Sequence, residues 1–242
     1  DGRVLQKRNL LNLLSQSLTF LIAGLGMIFV ASMGGTDITT GVVAALGGIA
    51  AAVIASKTFL LAFPAAIGVG MLFGIFLGTL NAIFKVPSFM ASLSILIAGR
   101  GAITWLTSYN MYFASPAMLA LNRFEYKIPI LLLLILLLGY ILEYTPFGNH
   151  VKAIGENETA VVHLGVSVRK TKMYAFLLSG IMSAVAGVFV IARSGGASNT
   201  TGTGMEMQVM MALFIGGIPV TGGTGSKIYK LILGAPLITL LE

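Results

Sequence analysis

A polar stretch from Tyr144 to Lys172, YTPFGNHVKAIGENETAVVHLGVSVRKTK, interrupts a chain that is otherwise a succession of apolar runs. It constrains the fold more than any other segment because apolar runs long enough to cross a bilayer flank it, and such a crossing takes about 20 residues. The stretch must therefore lie at a membrane surface. Lys152, Arg169, Lys170 and Lys172 outnumber Glu156 and Glu158 by two in this short loop. By the positive-inside rule the loop faces the cytoplasm.

Composition agrees with a membrane protein. Of 242 residues, 57% are hydrophobic and only 10% charged, against roughly 25% charged in a soluble domain, and the mean hydropathy is +0.95. The net charge of +7 comes mainly from Lys and Arg between apolar runs, which points to anionic lipid rather than nucleic acid. There is no cysteine, so disulfides, thiolate nucleophiles and Cys-based metal sites are excluded. His150 and His163, the two histidines, do not make a metal site by themselves. Residues 1–12 are polar and the next apolar run is too long for a cleavable leader. The chain starts without Met and stops in an apolar run at Glu242, so we expect it to continue at both ends.

Taken in order, Asn12 to Ala31 is long enough to span. A break follows, Met33 to Gly41, and then a shorter run, Val42 to Ser56. Two runs around a Gly-Gly and an acid predict a discontinuous helix pair, which lipid tolerates only where protein or a water-filled cavity satisfies the freed backbone groups. Asp37 is then either a cavity residue or a helix N-cap. Phe59 to Phe84 carries Gly70, Gly74 and Gly78 at four-residue spacing, a face for close helix packing. Ser88 to Thr107 contains Arg100, which at the bilayer centre would cost at least about 2.5–3.5 kcal/mol and is expected to snorkel to an interface. Ser108 to Lys127 is a polar and aromatic connection, Ile128 to Leu142 a lipid-facing helix, and Met173 to Ala192 a span with Gly180, Ser183, Ala184 and Gly187 as its small face.

Arg193 to Gly204 reads as a flexible loop, Met205 to Ile215 as a short apolar run, and a final run starts at Ile228. Counting from the cytoplasmic stretch puts the 108–127 and 193–204 loops outside and the 216–227 loop inside. Two separate passes around Asp37 would leave Arg3, Lys7 and Arg8 outside, against the charge rule, unless a helix precedes them or the pair makes one crossing. Arg193 and Glu206 either contact a partner docked outside or, as we expect, form an ion pair that orients the 205–215 run, with Glu206 favourable at a helix start.

Three blocks spread over the chain carry a family resemblance. They are Gly26-Met27 with Gly34-Gly35-Thr36-Asp37-Ile38-Thr39-Thr40-Gly41; Thr145-Pro146-Phe147-Gly148 with Ala153-Ile154-Gly155-Glu156-Asn157-Glu158-Thr159-Ala160 and Leu164-Gly165-Val166; and Gly202-Thr203-Gly204-Met205-Glu206-Met207 with Gly216-Gly217 and Thr221-Gly222-Gly223-Thr224-Gly225. In order and spacing they resemble the membrane-spanning permease subunit of bacterial ABC importers of the ribose, galactose and xylose type, within the branched-chain amino acid permease superfamily. The chain departs from the pattern at Thr39-Thr40, at Glu156 in place of a Gly, and at Lys227 and Lys230.

The resemblance implies an all-α polytopic bundle of about eight spans or half-spans, one permease domain over residues 1–242 with a cytoplasmic coupling loop at 146–172. It implies a bacterial inner-membrane subunit that imports a monosaccharide and is not itself an enzyme. Its partners would be a cytoplasmic ABC ATPase that holds the ATP-Mg, an extracytoplasmic sugar-binding protein, a second permease subunit and membrane lipid, with no nucleic acid. No Walker A pattern occurs in the chain. Glu158 to Leu164 is expected to be a two-turn coupling helix, entered at Gly155, capped by Asn157 and ended by Gly165. Glu156, Glu158, Ala160, Val161, Val162 and Leu164 would serve the coupling, with Val161, Val162 and Leu164 docking in a groove of the ATPase.

Gly34, Gly35, Asp37, Thr39 and Thr40 are expected to line the pathway, and Gly216, Gly217, Gly222, Gly223 and Gly225 to form a cytoplasmic turn where helices pack tightly. Other readings are a branched-chain amino acid or nucleoside ABC permease, and an ion-coupled secondary transporter with Asp37 as its cation site.

Overall fold

The computed structural model describes residues 7–241, with side chains from Asn9 onward. The side chains of Arg3, Lys7 and Arg8 lie outside this range. The helices are α1 Lys7–Ser32, α2 Thr40–Ala55, α3 Ala62–Ala82, α4 Ser88–Tyr109, α5 Pro116–Leu121, α6 Phe124–Tyr144, α7 Pro146–His163, α8 Val168–Ser194, α9 Met205–Ile215 and α10 Ile228–Leu241. Among the described residues, five helices are long and apolar enough to cross a membrane, and α2, α9 and α10 are shorter apolar helices. The expected all-α polytopic bundle of eight spans and half-spans is observed.

The core is built on α1 and α8. In their most apolar 18-residue windows 78% of residues are buried, against 22–28% in the windows of α3, α4 and α6, so the latter three present most of their surface outward from the chain. The glycine face expected on α3 packs on α8. A Cβ at Gly70 would meet the backbone of Gly180 and Ile181, one at Gly74 the backbone of Phe176 and Leu177, and one at Gly78 Met173. The order of these contacts makes the two helices antiparallel. On the other side of α8, Gly187 lies against Ala44 of α2, where any Cβ would overlap the Ala44 carbonyl. Close backbone approach of this kind supplies packing that apolar burial alone does not supply in lipid.

Hydrogen bonds fix which ends lie together. Gln16 near the start of α1 accepts from Arg193 at the end of α8 (2.9 Å), and Lys127 at the start of α6 donates to Ser15. At the other end, the Ser32 carbonyl closing α1 accepts from Gly223 N (2.8 Å). Thus α1 starts on the side of the 108–127 and 193–204 loops and ends on the α7 side. The two runs around Asp37 are separate helices, a full-length α1 and a half-length α2. The loops expected outside are joined by a two-stranded antiparallel ribbon, β1 Tyr112–Phe113 with β2 Gly196–Ala197, in the register Tyr112↔Ala197.

Candidate functional site

The 146–172 loop contains more helix than expected. Thr145 caps α7 by accepting from Gly148 N (3.3 Å), with Pro146 at the first helical position, a favourable pairing of cap and fixed φ. At Asn157 the backbone leaves helical geometry (φ −161°, ψ 100°) and α7 kinks. The Asn157 Oδ1 then caps the second segment, accepting from Ala160 N (3.1 Å) and Thr159 Oγ1 (2.6 Å). Gly165 ends it at φ +77°. Its N–H bonds the Val162 carbonyl and Val166 N–H bonds that of Val161, the double closure that a left-handed glycine permits. Both caps sit where the sequence places them, but the helical segment 146–156 ahead of the kink was not anticipated.

Gly155 is not a hinge of entry to the short helix. It lies inside α7, and a Cβ there would overlap Ser32 O and Gly223 N, so the backbones of α7, the end of α1 and the glycine-rich turn meet at one point. Glu156, one of the expected coupling residues, is exposed and bonded to the glycine-rich turn. It accepts from Thr224 N (2.8 Å) and Thr224 Oγ1 (2.9 Å), and these bonds, the backbone one first, hold its carboxyl below the usual carboxylate range. Gly223, at φ +98° and with no room for a Cβ beside Glu156, suits only glycine.

Val161 is also corrected. Its side chain is 3% exposed within the chain, whereas Val162 and Leu164 are 56% and 79% exposed. Ala160 is exposed as well, and Glu158 pairs with Lys172 of α8 (2.8 Å). The presented apolar tip is therefore Val162 with Leu164, and Val161 anchors the helix from behind. Lys230, a departure from the family pattern, donates to the carbonyls of Gly217 (2.9 Å) and Gly225 (2.8 Å) and so closes the turn. Gly216 packs against the Lys230 carbonyl at the start of α10.

The second cluster lies at the middle of the bundle, where the half-length helices α2 and α9 both begin. Asp37, Thr39 and Thr40 are buried. Asp37 Oδ1 accepts from Thr39 N (2.9 Å) and Thr39 Oγ1 (2.6 Å), and Oδ2 from Ser179 Oγ of α8 (2.6 Å). The Thr40 hydroxyl donates to the Asp37 carbonyl (3.3 Å). The Asp37–Ser179 bond ties the break to α8, and both Asp37 oxygens are engaged, Oδ1 by donors at the start of α2 and Oδ2 by α8, where a negative charge is also favoured by the α2 dipole. Gly34 and Gly35 lie in the connection itself; Gly34 backs onto the Thr221 carbonyl, and Thr36 N donates to Ser88 Oγ of α4 (3.1 Å).

The expected partner of Glu206 is corrected: it is Arg100 and not Arg193. Arg100 reaches across to the carbonyls of Thr201 (2.9 Å) and Gly202 (2.6 Å), and to Glu206 in the first turn of α9 at 3.5 Å. The same group of atoms closes around Gly41, where a Cβ would overlap Glu206 Oε2 and Gly202 O. The sequence did signal that Arg100 needs a partner, since a lone arginine inside a span, flanked by Gly99 and Gly101, calls for an anion or carbonyls, but it did not say which. Lys127 was missed outright. It is fully buried and donates to Ser15 O (2.6 Å), Ser15 Oγ (3.0 Å) and Thr19 Oγ1 (2.8 Å).

A helical bundle with two broken helices meeting at mid-depth and a surface helix joined to one end is the architecture of a multi-pass membrane transport subunit. The chain belongs to the branched-chain amino acid transport system / permease component family, whose model matches residues 9–242. It is 32% identical to the ribose import permease protein RbsC of Haemophilus influenzae, over 97% of this chain and 76% of that one. It is 30% identical to the galactofuranose transporter permease protein YtfT of Escherichia coli, over 98% and 72%. Identity to the autoinducer 2 import system permease protein LsrC of Klebsiella pneumoniae is 33%, over 72% of this chain and 52% of that one. No solved structure matches.

Proposed function

We propose that this chain is the translocating subunit of an ATP-binding-cassette importer for a monosaccharide in the bacterial inner membrane. It would work as a dimer of identical or similar subunits, with sugar delivered by an extracytoplasmic binding protein and ATP-Mg held by a cytoplasmic ATPase pair. The names of the ribose and galactofuranose relatives support the sugar. One observation carries the coupling: α7 presents Val162 and Leu164 at its tip while its body meets the α1 terminus and the glycine-rich turn through Gly155 and Glu156. A push on the tip is then transmitted to Ser32, three residues before the Gly35 connection to α2, and to the turn between α9 and α10. Both broken helices would move with the ATPase.

The family description supplies a second solute, a branched-chain amino acid. An ion-coupled mechanism through Asp37 is disfavoured because three donors already occupy that carboxylate. The test is uptake into proteoliposomes holding the permease together with the ATPase and binding protein encoded beside it. D-Ribose accumulation is expected to require ATP and to be unmoved by leucine. Accumulation driven by an ion gradient without ATP would overturn the reading.

A further inference from the structure

At the α7 end of the bundle three elements bring two lysines, distant in sequence, to one carboxylate. A Cβ at Gly148 would overlap the carbonyls of Ile141 and Leu142, so the start of α7 lies directly on the last turn of α6. Lys152 follows Gly148 by four residues and shares its face, while Gly155 beyond it meets Gly223 of the glycine-rich turn. Lys152 thus lies between the end of α6 and the segment that leads into α10. Glu143, in the last turn of α6, accepts from Ile228 N at the start of α10 (3.4 Å), which sets the exposed Lys227 beside it.

The charges in this corner do not balance. Lys152 is within electrostatic reach of both Glu143 and Lys227, and among the described residues neither ammonium donates a hydrogen bond inside the chain. Burial holds Lys152 below the usual lysine range; Glu143 counteracts this and the like charge of Lys227 adds to it. The single carboxylate is already drawn on by the Ile228 amide, and the α10 dipole adds positive potential at the same point. Lys230 does not contribute, because it is spent on the carbonyls of Gly217 and Gly225.

The surroundings select the anion. Tyr140 and Tyr144 stack with ring centroids 5.8 Å apart and are 62% and 74% exposed, the placement of aromatic side chains at a membrane–water interface. From there Leu133, Leu136 and Leu137 of α6 and Leu233 and Leu237 of α10 continue an exposed apolar surface along both helices, which meet where Gly139 stands against Ile228. A soluble anion would satisfy the lysines and leave this surface bare, whereas a lipid covers both. We propose that Lys152 and Lys227 hold the phosphate of an anionic phospholipid of the cytoplasmic leaflet, its acyl chains lying along α6 and α10. Basic pockets between membrane helices on the cytoplasmic side bind such headgroups. Lys227 is a departure from the permease pattern, so the site is not among the features that the family resemblance implies.

The test is native mass spectrometry of the whole permease, titrated in detergent with phosphatidylglycerol or with phosphatidylcholine. The first phosphatidylglycerol is expected to bind at least about tenfold more tightly than phosphatidylcholine, and Lys152→Gln and Lys227→Gln each to weaken it about fivefold. Glu143→Gln, which removes the competing carboxylate, is expected to tighten it, and Lys170→Gln on the exposed start of α8 to leave it unchanged. Millimolar inorganic phosphate is expected to leave the lipid bound. Unchanged affinity in both Lys152→Gln and Lys227→Gln would overturn the proposal. So would an equal loss in Lys170→Gln, which marks diffuse attraction to the surface, or displacement by inorganic phosphate, which marks a site for a soluble anion.

Discussion

Glu156 takes both hydrogen bonds that Thr224 has to give, from the amide at 2.8 Å and from the hydroxyl at 2.9 Å, across 68 residues of chain. This contact joins the surface helix to the turn between α9 and α10. Because the carboxyl is held below its usual range, its stabilising effect is fully present above the unfolded carboxylate value near 4.3 and is lost as pH falls through the lowered folded value. Protection factors of the amides at 150–165, taken relative to intrinsic exchange at each pH, are expected to fall on acidification in the wild type. In Glu156→Gln they should be lower at neutral pH and nearly flat with pH. A pH response unchanged by the substitution would assign it to another group.

Gly155→Val forces a side chain into the meeting point of three backbones. Overpacking of this sort costs about 1–3 kcal/mol, little enough for insertion to proceed. We expect the variant to reach the membrane at near-normal levels and to lose most ATP-driven uptake while ATP hydrolysis by the assembled complex persists. Loss of hydrolysis and uptake in parallel would show that the assembly, not the transmission, had failed.

Val161 and Leu164 are predicted to behave oppositely although they are three residues apart. Val161→Asp buries a charge and should lower the melting temperature and the yield. Leu164→Asp, at an exposed position, should leave melting unchanged and weaken association with the ATPase. Equal melting temperatures for the two variants would contradict the assigned orientation of the helix.

Arg100→Met strips Glu206 of its ion partner and the Thr201 and Gly202 carbonyls of their donors. The pair is part-buried, its side chains 23% and 11% exposed, so breaking it from one side costs less than the about 3–5 kcal/mol of a fully buried pair, while replacing both members by apolar groups is often close to neutral. Thermal unfolding in detergent should therefore show a clear loss for Arg100→Met and a substantial recovery in Arg100→Met with Glu206→Met. Additive losses would place Glu206 in a different role.

The bundle was legible in the sequence because span length, glycine spacing and the caps of the short helix are local properties. The glycines of α3 and the pairing of Asn157 with Gly165 at either end of one segment were read from a few consecutive residues. What was not legible depended on partners far away in the chain. Glu156 reads as a surface acid until Thr224 is beside it, Val161 and Val162 are chemically alike until the bundle buries one, and Arg100 could not be matched to Glu206 without knowing that α2 and α9 start at the same depth. Lys127 was hidden for the same reason. Ser15 and Thr19, four residues apart on one face of α1, are its acceptors, but nothing in the sequence pairs that face with the start of α6.

The central claim is that a cytoplasmic ATPase acts on this chain through the tip of α7. The chain has no cysteine, so Leu164→Cys carries a single thiol to which a short photo-cross-linker can be attached in native membranes. The account predicts an adduct with the ATPase subunit whose yield changes with ATP, and none from Leu133→Cys on the exposed side of α6. An adduct from Leu133 but not from Leu164, or none from Leu164 in a complex that still transports, would contradict it.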